Sequence, residues 1–244
     1  MKNLFFLFIF TLGCTFQAAA QPPLYDDLLI YYADGDYEKL VSKAEKYIGN
    51  DNTKNDALPY LYCSRGYFEM AKDEIYDDDY PKAYNLSIQN AGKAIKKDKD
   101  GSMYADQLPY YTAIKSSVVE EIENMVDQED YSRLRGTVMK LQRLDPADVG
   151  SHYLLAACQY QIKDKGSAKL TVKEAHKRLD AIESVEDWRE VDFKMLRIGV
   201  MEYARYFVKM RQPDKADDIM NKVKQWYEDD ETFMEEYNAI VNGE

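Results

Sequence analysis

Residues 28–47 read LLIYYADGDYEKLVSKAEKY. Leu28 and Tyr31, then Leu40, Ala44 and Tyr47, recur at three- and four-residue steps on either side of Asp34-Gly35-Asp36. That pattern is two amphipathic helices joined by a tight turn. The same offsets of +3, +12, +16 and +19 recur further on. From Ile122 they give Met125, Leu134, Val138 and Leu141, and from Ala204 they give Phe207, Ala216, Met220 and Val223. Every position in the three windows is apolar, so the chain repeats one helical-hairpin register.

Helical spacing continues across the chain, and no alternating run is long enough for a sheet. The periodicity predicts helices over 24–33, 37–48, 57–77, 80–97, 103–127, 130–144, 149–163, 167–183, 188–210, 213–229 and 231–241. The fold class is all α: about five antiparallel pairs and a short last helix. Breakers fill the connectors, among them Gly49-Asn50-Asp51-Asn52, Lys99-Asp100-Gly101, Asp145-Pro146 and Gln212-Pro213-Asp214.

The register resembles the tetratricopeptide (TPR) repeat. Gly35-Asp36-Tyr37-Glu38-Lys39 is similar to that family's inter-helix turn. Glu129-Asp130-Tyr131 repeats the turn without the Gly, and Leu144-Asp145-Pro146 resembles the repeat ending. Ala157 and Tyr160, with Ala168, Val172, Ala175, Leu179 and Ile182, supply a fourth unit. Gly66 with Ala91, Ala94 and Ile95 supplies a fifth that needs an insertion. The resemblance implies an α-α superhelical solenoid, another helical-hairpin array being the alternative. Five units over about 210 residues average about 42 each against the family's 34, so curvature should be irregular.

The first twenty residues read differently. Lys2 precedes an apolar run from Leu4 to Phe16, and Ala18-Ala19-Ala20 offers the small residues of a cleavage site. A run of about 13 residues spans roughly 20 Å as a helix, short of a ~30 Å hydrocarbon core. The expected division is a signal peptide over 1–20 and a TPR-like domain over 21–244, with Gln21 first in the mature chain. Leu12-Gly13-Cys14 resembles the end of a lipoprotein signal, which makes lipidation at Cys14 the alternative address.

The 244 residues are 45% hydrophobic and 31% charged, enough for a sizeable core. Acids outnumber bases 44 to 32, and the net charge of −12 argues against a nucleic-acid partner. Two His and three Cys leave little material for metal or thiol chemistry. His152 and His176 fall in no metal motif, and Cys63 and Cys158 read as buried apolar residues too far apart to bridge. Asp98-Lys99-Asp100-Gly101 begins like a calcium loop but lacks its first and last ligands. Asp77-Asp78-Asp79 and Glu228-Asp229-Asp230-Glu231 read as solvated helix ends or caps. No nucleophile elbow, Walker loop or dinucleotide fingerprint is present. No catalytic residue, cofactor or metal is therefore expected.

Tyrosine is abundant at 21 residues, a side chain that gives broad contact area at low entropic cost. The TPR resemblance implies a groove lined by first-helix residues, here Tyr25, Leu29, Tyr32, Tyr60, Tyr67, Met70, Met201 and Arg205. Tyr25 and Leu29 stand where the family's carboxylate clamp would need Lys and Asn, which argues against a chaperone-tail receptor. The expected function is non-catalytic: an exported bacterial scaffold, monomeric or weakly dimeric, binding a protein or peptide in the cell envelope. The alternative is a TPR lipoprotein subunit of an outer-membrane assembly or a secretion or gliding apparatus. Membrane contact is expected only through Cys14 lipidation or an outer-membrane partner.

Overall fold

A computed structural model describes residues 25–242; the expected signal peptide, Cys14 and the Gln21 terminus lie outside the described residues. Twelve α-helices and no strand occur among them. They are α1 Asp26–Ala33, α2 Tyr37–Gly49, α3 Ala57–Met70, α4 Ala83–Lys97, α5 Ser102–Asp106 and α6 Leu108–Asp127. They continue with α7 Tyr131–Leu144, α8 Val149–Gln161, α9 Lys165–Asp180, α10 Glu190–Lys209, α11 Pro213–Val223 and α12 Glu231–Tyr237. No helix among the described residues is long and apolar enough to cross a membrane.

The expected helix over 103–127 is two helices. Gln107, at φ −107° and ψ 17°, closes α5 and opens α6. Pro109 explains the break, since it cannot donate to α5 yet fits the first turn of a new helix. The expected helix over 57–77 stops at Met70. The Asp73 carboxylate then accepts from the Ile75 N–H at 3.1 Å and starts a separate 3-10 turn, Glu74–Tyr76. The helix expected over 213–229 ends at Val223 and gives way to another 3-10 turn, Lys224–Trp226.

One turn is used four times. Gly35, Glu129, Lys163 and Arg211 have φ of 73°, 53°, 66° and 56°, each just before the second helix of a pair. Asp36, Asp130 and Asp164 follow the first three and accept from the backbone N–H three residues on. At Asp36, Asp164 and Gln212 the backbone N–H bonds back to a carbonyl five residues earlier, at 3.0, 2.8 and 2.9 Å, a Schellman closure. A left-handed non-glycine residue costs about 1–2 kcal/mol, partly offset by glycine's greater unfolded-state freedom. Lys163→Gly and Arg211→Gly are each expected to stabilise the fold by about 0.5–1 kcal/mol. Chemical denaturation checks this, and a loss of stability would contradict the left-handed turn.

Twelve of the fifteen register positions are buried, and Tyr31, Tyr47 and Met125 pack half-buried against the same clusters, so the period marks the core face. The core runs as three successive clusters. The first joins α1, α2 and α3 with Ala83 at the start of α4; the second joins α3, α4, α6, α7 and α8 with Val191 and Met195 of α10; the third joins α8 to α12. Helix α3 packs on α2 and α4, α8 packs on α7, α9 and α10, and α10 also reaches back to α6.

Candidate functional site

Two polar constellations stand out, one at the surface of α1 and α3 and one beneath α6 and α10. The first begins with Tyr110, whose hydroxyl lies 2.6 Å from the Ser64 oxygen, while Ser64 donates to the Ser87 carbonyl at 2.6 Å. Burial pushes the Tyr110 phenol well above its usual range, so it stays a neutral donor to Ser64. On this fixed ring rests the Arg65 guanidinium, 5.1 Å from its centroid. Tyr32 and Tyr62 close in at 5.1 and 6.0 Å, and their own rings are 6.3 Å apart. Arg65 Nη2 donates to the Gln107 side-chain carbonyl, so α1, α3, the α5–α6 junction and α6 meet at one cation held by three aromatic rings.

Of the residues expected to line a groove, the structure leaves few on the surface. Leu29 is 52% exposed, and Tyr32 is half-buried within the Arg65 cluster. Tyr25, Tyr60, Tyr67, Met70 and Met201 are buried and cannot line a surface groove. Tyr25 donates to Asp56, Tyr60 to the Lys54 carbonyl at 3.0 Å and Tyr67 to Glu45 at 2.8 Å, so each ring fills the interior while its hydroxyl reaches a partner. Arg205 is exposed but engaged by Glu202 at 2.7 Å and by Glu236 at 2.7 and 3.1 Å, which ties α10 to α12. The correction on α3 is geometric. Residues 60 and 62 are about 200° apart around a helix, so Tyr62, Arg65 and Glu69 form the open face where Tyr60, Tyr67 and Met70 form the buried one.

The second constellation went unnoticed in the sequence. Lys115 on α6 is 2% exposed, and its Nζ donates to Asp145 and Asp148 at 2.7 Å and to Asp192 at 2.6 Å. Arg189 adds a two-pronged contact to Asp192 at 2.8 and 2.9 Å and donates to Thr112 at 2.9 Å. Burial acts to lower the Lys115 pKa, but the three carboxylates outweigh it and hold the group above its ordinary value. Asp192 is depressed: burial would raise its pKa, and Arg189 and Lys115 overcome that. The carboxylate oxygens of Asp145, Asp148 and Asp192 lie within 4.8 Å of one another, the separation a cation would use. The ammonium sits among them, and the set is a filled ion cluster.

The remaining candidates are accounted for locally. Cys63 and Cys158 are buried and unbridged, and burial pushes both thiols up to about 12, which leaves them protonated at neutral pH. His176 Nδ1 lies 2.8 Å from the Tyr153 hydroxyl, and burial, with Lys222 nearby, lowers its pKa. His152 Nδ1 contacts the Asp148 carbonyl at 2.8 Å. Asp98 and Asp100 accept from the backbone of Met103, Tyr104 and Ser102 at the start of α5. Asp230 accepts from the Phe233 N–H and pairs with Arg197 at 2.7 Å. Compared with protein-family models and with curated proteins, the sequence matches none.

Proposed function

We propose that the protein is an exported, non-catalytic bacterial scaffold whose TPR-like helical pairs present a protein- or peptide-binding surface centred on Tyr32, Tyr62 and Arg65. The supporting observation is compositional and spatial at once. Tyrosine and arginine, the residues that most often dominate binding energy at interfaces, are here clustered and half-exposed. Exposed leucines stand close to them along the helices: Leu29 is one turn before Tyr32, Leu58 is one turn before Tyr62, and Leu108 follows Gln107, with exposures of 52%, 39% and 38%. The recurrent left-handed turn, spaced 34 residues between Glu129 and Lys163, favours the repeat reading of the scaffold. The apolar run at the N-terminus supports export, and Leu12-Gly13-Cys14 keeps outer-membrane anchoring as the second address.

The test captures a partner from envelope extract with residues 21–244, then measures its binding rates to Tyr32→Ala and Tyr62→Ala proteins that remain folded. Truncating an aromatic anchor typically costs 2 kcal/mol or more, roughly a thirtyfold loss of affinity, mainly as faster dissociation. Unchanged dissociation in both variants would remove the site from this face.

A further inference from the structure

Arg65 is a half-buried arginine held against aromatic rings in an acid-rich chain. Acids outnumber bases 44 to 32, and Arg178, Arg189, Arg197 and Arg205 each meet a carboxylate within 2.8 Å. Among the described residues Arg65 makes no ion pair; Arg135, Arg143 and Arg211 make none either, but of these four Arg65 is the one packed against aromatic rings. Burial raises the Tyr62 phenol and Asp26 adds a little to it, yet Asp26 forms no pair with the guanidinium. Arg65 Nε is buried without a hydrogen-bond partner and is closed to an outside ligand, and the Nη2 bond to Gln107 meets a neutral amide, which leaves the terminal Nη1–Nη2 edge to take a carboxylate. A guanidinium is a planar fork of five donors that matches a carboxylate bidentately. Three tyrosine rings have already immobilised this one, so docking costs little further side-chain entropy.

Resting on the binding surface proposed above, we propose that Arg65 anchors one aspartate or glutamate side chain of a partner peptide, with apolar residues of that peptide lying against Leu29, Leu58 and Leu108. The chain's own charge decides between one carboxylate and many. At −12 overall, the protein repels a polyacidic segment. A single acid within an apolar sequence gains the local pairing and avoids most of that repulsion.

Residues 21–244 are used to select from two libraries of random 12-residue peptides, one displayed internally without a free terminus and one with a free C-terminus. An internal consensus peptide, acetylated and amidated, is then titrated beside its Glu→Gln twin. The expected outcome is internal peptides with one Asp or Glu at a fixed position between apolar residues. Glu→Gln in the peptide is expected to lose at least tenfold on the wild type and nothing further on Arg65→Gln, a coupling a double-mutant cycle isolates. Arg65→Lys keeps the charge without the fork and should also bind at least several-fold more weakly; if Arg65→Gln does not fold, this variant carries the test. Peptides without a fixed acid, an equal loss on wild type and Arg65 variant, or selection only of free C-termini would overturn the assignment. Failure to enrich any peptide over a Tyr32→Ala/Tyr62→Ala control would instead overturn the binding surface itself.

Discussion

Lys115→Met is expected to cost about 3–5 kcal/mol of folding stability, because it removes the cation from a buried set while leaving its anions in place. Methionine keeps the apolar stem, so the loss is chiefly electrostatic. Asp145, Asp148 and Asp192 would face one another within 4.8 Å, with Arg189 the one other cation paired with them among the described residues. Acid should then affect the two proteins oppositely. In the wild type, the depressed Asp192 pKa contributes stability that is present above its unfolded value of about 3.9 and lost as pH falls through the folded value. The raised Lys115 pKa contributes stability that is complete below about 10.4 and lost only as pH rises through its folded value. In the variant, mutual repulsion raises the carboxylate pKa values, so protonation favours the folded state. Denaturation curves at pH 7.5 and pH 5 should show the gap narrowing on acidification. A variant with unchanged stability, or a gap that widens, would show that Lys115 does not neutralise this set.

That cluster shows which part of the molecule is hard to read from sequence. Lys115 and Asp192 are 77 positions apart, and each acid has a sufficient local explanation. Asp148 accepts from the Ser151 N–H at the start of α8, and Asp192 accepts from the Arg189 backbone N–H at 2.8 Å at the start of α10. Local grammar conceals their second role. The core was legible because burial of Leu28, Leu40, Leu134 and Ala216 follows directly from period. Face assignment on α3 was not, since Pro59, Tyr60 and Leu61, then Cys63 and Ser64, then Gly66, Tyr67 and Phe68 are all buried. A helix enclosed that widely has no single apolar stripe, and a tyrosine there is as much at home inside as at the surface. Lys163 and Arg211 likewise carry no glycine to mark a left-handed turn.

The contact between α8 and α10 makes the second large prediction, one whose sign separates it from a routine helix substitution. A Cβ on Gly199 would stand 2.0 Å from the Gly150 carbonyl oxygen, and one on Gly150 would stand 2.2 Å from the Met195 carbonyl oxygen. Those neighbours are backbone, which cannot rotate away, so the helices must separate. Separation loosens the packing around Met195, Leu196 and Leu154, all fully buried. Alanine in place of a helical glycine normally stabilises by up to about 1 kcal/mol. Overpacking of this kind costs about 1–3 kcal/mol or more, and the clash here is main chain on both sides. Gly199→Ala should therefore destabilise by at least about 1–2 kcal/mol net of the propensity gain, and Gly150→Ala likewise. Gly136 is the internal comparison: it lies within α7 with nothing within 4 Å of its would-be Cβ. Gly136→Ala should stabilise by about 0.5–1 kcal/mol. Opposite signs for Gly199→Ala and Gly136→Ala in one set of urea curves would establish the close α8–α10 approach. Stabilisation by both would mean that the two helices pass further apart than the structure places them.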